Sequence, residues 1–280
     1  MGLARLPSAS RQVPSGRLAV CAVAACALLA GCDERLVLKA DCADRGLVIV
    51  LPGIDGGTGY SLAACDALSR SGPDMAVELY DWTVPFGGLL NQTAIGRNRD
   101  VARRLARRIA DYQRRHPGRP VYLIGHSGGT AIAVWAAEAA GSDGGIQRLV
   151  LLASSLSPTY SLRQALANSR EGIVSFYSPH DAALLGFGTS LIGTMDGQHC
   201  ESAGKVGFRD ELSAGLMQVC WREEMAKAGH WGGHLDYMSP KFLAAYVVPL
   251  LRPYEAAGDA DGDGEGLDGE TLAGGGATEP

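Results

Sequence analysis

"VYLIGHSGGTAIAVWAAEAA", Val121 to Ala140, is the stretch that decides the fold. An apolar run of strand length enters Gly125-His126-Ser127-Gly128-Gly129, and an Ala-rich helical stretch leaves it. A strand-to-helix turn needs small residues, and that alone explains the glycines. It does not explain the serine. A serine held between glycines on a sharp turn can also be a nucleophile lifted above a sheet.

Outward from this stretch, strands and helices alternate. "GLVIVLPG" (Gly46 to Gly53) is an apolar run closed by Pro and Gly, and "YSLAACDALSRSG" has helical spacing. "MAVELYDWT" alternates as a strand does, and "VPFGGLLNQT" reads as a loop. Asn91 to Arg115 reads as one helix, with Ile95, Val101, Leu105, Ile109 and Tyr112 on one apolar stripe. Its many arginines read as a solvated face, with lipid headgroups as the alternative. "IQRLVLLAS", "GIVSFYS" and "LMQVCWREEM" read as later strands, with a short helix over Ser161 to Ser169. "SPKFLAAYVVPLL" opens a last helix, with Ser239 at the N-cap and Pro240 at the first helical position. Such alternation predicts an α/β protein: a mainly parallel, doubly wound sheet with helices on both faces.

Gly-x-Ser-x-Gly between a buried strand and a helix resembles the nucleophile elbow of the α/β-hydrolase superfamily, serine esterases and lipases among them. The resemblance spans about Leu47 to Leu251. It implies Ser127 as nucleophile, followed along the chain by an acid and then a histidine. Asp181, in the loop after "GIVSFYS", fits the acid; Asp196 lies further from the strand end. "AGHWGGHLDYMSP" holds two histidines before the final helix. His234, after Gly232-Gly233 and nearer the helix start, is the expected general base, and His230 is the alternative. His126, inside the elbow, and His180, beside the acid, are less suitably placed. The oxyanion hole is expected from the backbone N–H groups of Gly128 and Ile54, the latter in "LPGIDGGTG", where Pro52 replaces the histidine common in the family.

The activity implied is hydrolysis of carboxylic esters through an acyl-enzyme, with no cofactor and no metal. The same residues would serve a thioesterase or an amidase, and a non-catalytic envelope binding protein on this fold is the competing class. The interval Ser155 to Gly172 is too short for a lid domain. Trp82, Phe86, Leu184, Leu185 and Phe187 are expected around an open mouth, with core packing as their alternative.

The chain has 280 residues, 46% of them hydrophobic, enough for one sizeable domain, and its net charge of -5 argues against nucleic acid as a partner. Its start reads as a targeting segment. Arg5, Arg11 and Arg17 precede "LAVCAVAACALLA", which is too short to span a bilayer comfortably. Leu29-Ala30-Gly31-Cys32 resembles the bacterial lipobox, so residues 1–31 are expected to leave as a lipoprotein signal peptide and Cys32 to carry lipid. That places the protein in the cell envelope, facing the periplasm or the exterior, with membrane and an ester substrate as its partners. Residues 32–45 read as a linker, 46–254 as the hydrolase domain, and 255–280 as a disordered acidic, Gly-rich tail. "DADGDGEGLDGE" within that tail matches an EF-hand loop pattern, but no helix can follow it. Cys42, Cys65, Cys200 and Cys220 are an even set for an oxidising compartment. Cys42–Cys65 with Cys200–Cys220 is the simplest of three pairings, and four buried thiols are the alternative.

Overall fold

A computed structural model describes residues 36–141, 145–181, 193–209 and 214–251. Seven strands form one sheet: β1 (Leu36–Leu38), β2 (Leu47–Leu51), β3 (Ala76–Leu79), β4 (Val121–His126), β5 (Ile146–Leu152), β6 (Ile173–Tyr177) and β7 (Leu216–Cys220). Their spatial order is β1-β3-β2-β4-β5-β6-β7, and only β1 runs antiparallel. β4 sits at the centre, with Gly125 level with Leu51 on β2 and with Leu151 on β5.

The central strands are buried on both faces, which is why they read as unbroken apolar runs. Successive side chains still alternate. Leu47, Ile49, Leu51, Leu123, Leu149 and Leu151 pack on one face, with α3 (Ile95–Arg115) and α4 (Gly128–Ala140). Val48, Val50, Tyr122, Ile124, Val150 and Leu152 pack on the other, with α1 (Gly59–Ser71) and the C-terminal helical run from Pro240–Phe242 to Val248–Leu250. The expected doubly wound architecture is therefore present.

Four local readings change. Leu36–Leu38, assigned to the linker, pairs with β3 as an edge strand, which three residues are too few to reveal by periodicity. Gly88–Thr93, read as loop and helix start, is a separate short helix (α2), and the chain bends at Ala94 before α3 begins. The α3 arginines are not uniformly solvated. Arg108 makes a bidentate pair with the fully buried Glu78 of β3, Arg97 donates to Trp82 O at 2.7 Å, and Arg99 lies over the Trp135 ring. Ser239 precedes Pro240 as expected, but its hydroxyl donates to Ala228 O rather than capping the helix.

Cys42, Cys65, Cys200 and Cys220 are all free thiols, so neither of the simplest disulfides exists. Cys65 lies in the apolar packing under α1, and burial pushes its thiol up to about 12. Cys42 Sγ instead accepts a hydrogen bond from Arg45. Among the described residues, no helix is long and apolar enough to cross a membrane, and no acid, His or Cys cluster has metal-binding geometry. Residues 1–35 with Cys32, Leu184, Leu185, Phe187 and the 255–280 tail lie outside the described residues.

Candidate active site

The site is built on the turn that ends β4. A Cβ at Gly125 would stand 2.7 Å from Thr130 Cα, and one at Gly129 would overlap the carbonyls of Leu51 and Pro52. Both glycines therefore let α4 close onto the sheet. The chain reverses through Ser127 at φ 52° and ψ −122°, a region that L-residues rarely occupy and that costs about 1–3 kcal/mol. Flanking hydrogen bonds hold it there. Ser127 N–H donates to Leu152 O at 2.9 Å, and Ser127 O accepts from Thr130 N–H and from the Thr130 hydroxyl at 3.0 and 2.6 Å. The serine thus stands at the N-terminus of α4, where the helix dipole favours negative charge.

Asp181 follows β6, its N–H donating to Ser178 O at 3.0 Å and its side chain buried. His234 lies between β7 and the C-terminal helical run. The two meet: His234 Nδ1 is 2.9 and 3.0 Å from the two Asp181 carboxylate oxygens. Carboxylate oxygens accept, so Nδ1–H is the donor in this pair, which leaves Nε2 as the nitrogen not engaged by Asp181. The loop is pinned by Asp236, which accepts the N–H groups of Trp231 and Gly233, each at 2.9 Å.

His126 completes this arrangement. Its Nε2 is 2.9 Å from His234 O, and because a carbonyl only accepts, Nε2–H is the donor. Burial, with a smaller contribution from neighbouring His234, holds His126 down to about 3, so the ring is neutral. The backbone of the His234 loop is thereby tied to the residue beside Ser127. The Ser127 hydroxyl itself is paired with Ser155 Oγ at 3.3 Å, not with His234. Ser155 is fixed in turn by its N–H bond to Thr130 Oγ1.

The alternatives are placed elsewhere. His230 is fully buried against Tyr237 and Phe242, its Nδ1 accepts from Gly232 N–H, and burial lowers it to about 4. Asp196 spends its carboxylate on Ser157 N–H, the Ser157 hydroxyl and the Thr194 hydroxyl. His180 packs edge-on against Trp221.

Ile54 and Gly128 are adjacent, since a Cβ on Gly128 would meet Ile54 Cγ2 at 2.7 Å. Two side chains hold the Ile54 loop. Asn91 donates to Ile54 O at 2.9 Å, and the Trp82 indole donates to Pro52 O at 2.8 Å. Trp82, expected at the mouth, is only 2% exposed and packs beneath Gly128, because its indole N–H needs a buried acceptor. Phe86 is wholly exposed. Nothing local in the chain marks Ser155, Asn91 or Asp236, and His126 is set aside there as a base. His126 alone carried a signal there, as a ring inside the elbow, and its bond to a carbonyl 108 residues away is invisible in the chain.

No protein-family model matches the chain, and no curated protein matches it. Solved structures do. Est1E from Butyrivibrio proteoclasticus is similar at 12% identity, over 77% of this chain and 90% of that one, with a TM-score of 0.50. LpqC, a poly(3-hydroxybutyrate) depolymerase from Bordetella parapertussis, is similar at 17% identity over 77% and 82%, with a TM-score of 0.48. Aspergillus fumigatus lipase B is similar at 14% identity and a TM-score of 0.47, over 74% of this chain but only 52% of the lipase, so the chain spans about half that protein's length. The strand order and the likeness to Est1E establish an α/β-hydrolase fold, with no large lid among the described residues.

Proposed function

We propose that this protein is a serine hydrolase that cleaves carboxylic esters through an acyl-enzyme. The observation that carries the reading is the Asp181–His234 hydrogen bond, tied through His126 to a serine at φ 52°. In the proposed reaction the Ser127 hydroxyl turns from Ser155 toward His234 Nε2. His234 takes its proton while Oγ bonds to the ester carbonyl carbon, and the carbonyl π electrons move to oxygen. The N–H groups of Gly128 and Ile54 receive that oxyanion. The C–O bond to the alcohol then breaks as His234 returns the proton to the departing oxygen. Water attacks the acyl-enzyme with His234 again as base, releasing the acid and restoring Ser127. Asp181 holds the Nδ1–H tautomer and stabilises the imidazolium as it forms.

A fluorophosphonate probe tests the mechanism. Labelling of the folded wild type that disappears in Ser127→Ala supports it, and no labelling of folded wild type refutes it. A series of nitrophenyl esters from short to long acyl chains then reads the chain length preferred.

We also infer that the mature chain begins at a lipidated Cys32 and is held at the bacterial envelope. Leu29-Ala30-Gly31-Cys32 after a basic and then apolar stretch supports this. Cys32→Ala should release the protein from membranes or block its processing. Unchanged retention with unchanged mature mass would overturn it.

A further inference from the structure

Among the described residues β1 is the only antiparallel strand, and it begins at Leu36, opposite Leu79 at the carboxyl end of β3. The chain therefore enters the fold at the carboxyl edge of the sheet, the same edge that carries Ser127, Asp181 and His234. β4 stands three places from β1, so at about 4.8 Å per strand the nucleophile is about 14 Å to the side of this entry. Only Asp33, Glu34 and Arg35 separate Cys32 from Leu36, a reach of at most about 14 Å when extended. A domain of this size is about 44 Å across, from a radius of gyration of about 17 Å. A lipid on Cys32 can therefore not reach around the molecule to its far side.

The same edge holds several exposed apolar side chains. β3 leads into Phe86, which sits at φ 60° with its ring wholly exposed, and then into α2, where Leu89 and Leu90 are 63% and 50% exposed. Trp231, three residues before His234, is 73% exposed. Asn91 fastens this segment to the oxyanion loop by bonding Ile54 O and both backbone groups of Val84. Exposed Asp55 and Asp81 lie on the same edge, so burial of apolar side chains, and not attraction to anionic headgroups, would drive contact with lipid.

We propose that this edge, led by Phe86, Leu89 and Leu90, docks on the phospholipid bilayer that holds the anchor, so that the site meets esters presented by that membrane leaflet. The inference rests on the lipid anchor at Cys32. Its length and point of entry orient the mouth toward the membrane, and the apolar side chains make the contact.

The test uses the full chain, carrying its anchor, in phosphatidylcholine vesicles with plain or brominated acyl chains. Tryptophan is added singly at the docking edge (Phe86→Trp, Leu89→Trp) and at the opposite edge (Arg115→Trp), all exposed positions. Bromine in the acyl chains should remove most of the emission added at 86 and 89 and leave that added at 115 unchanged. Anchored protein with no quenching at 86 and 89, or with equal quenching at 115, overturns the docking and leaves the anchor standing. Cys32→Ala separates the two: release from the vesicles supports the tether on which the orientation depends, while undiminished binding with unchanged mass removes it.

Discussion

His126→Phe keeps the bulk of a buried ring and deletes one donor, the Nε2–H that binds His234 O at 2.9 Å. Near neutral pH the variant loses this part-buried bond, a cost of about 0.5–1.5 kcal/mol. For a domain of this size that lowers the melting temperature by roughly 2–4 °C per kcal/mol. Turnover should fall as well, because the His234 loop loses its tie to the elbow; displacement of a reacting group by about 1 Å costs roughly 100-fold. The effect of acid has the opposite sign. Wild-type His126 stays unprotonated in the folded protein down to about 3, against 6.5 when free. Below 6.5 the unfolded chain binds a proton that the folded one does not, so this group's full stability is present above 6.5 and is lost as pH falls toward 3. Between pH 6.5 and 4.5 the loss is at most about 3 kcal/mol, at about 1.4 kcal/mol per pH unit. Phenylalanine removes that loss. Urea unfolding at pH 7.5 and pH 4.5 should therefore find the variant less stable at the higher pH and level with, or more stable than, wild type at the lower. A stability difference independent of pH would refute the buried neutral imidazole. Unchanged ester turnover would refute its part in holding His234.

Three further substitutions probe separate parts of the structure. Asp181→Asn no longer specifies the Nδ1–H tautomer of His234, and ester turnover at saturating substrate should drop by about 10,000-fold with the fold intact by circular dichroism; a loss under tenfold would exclude Asp181 as the orienting acid. Asp196→Asn, which disturbs only the Ser157 and Thr194 hydrogen bonds, should leave that turnover near the wild-type rate while lowering urea stability by about 1–3 kcal/mol. Glu78→Leu removes the buried carboxyl group that pairs with Arg108, whose side chain is 22% exposed, and should cost about 1–3 kcal/mol in chemical denaturation; an unchanged midpoint would show that the pair adds nothing to stability.

Features that depend on near neighbours are legible in the chain alone. The alternation of strands and helices, and the extent of α4 from Gly128 to Ala140, follow from periodicity and from turn residues within a few positions of one another. So does the elbow, because Gly125 and Gly129 are demanded by contacts made within the same strand-turn-helix unit and the adjoining strand end. Tertiary structure decided which distant polar groups meet. Asp181 and His234 are 53 residues apart, and no local pattern distinguishes Asp181 from Asp196, or His234 from His230, by burial and partners; packing does, by spending Asp196 on a loop and enclosing His230 among aromatic rings. The same holds for β1, too short to show a period yet completed as a strand by β3, and for Glu78, an acidic side chain in a buried strand that meets Arg108 of α3 in a bidentate pair. It holds for the cysteines too, whose even number states an opportunity for pairing while the fold keeps Cys65 in an apolar layer and Cys42 beside Arg45. Periodicity reports which side of an element is buried; only closure of the sheet and its loops brings a particular donor within 3 Å of a particular acceptor.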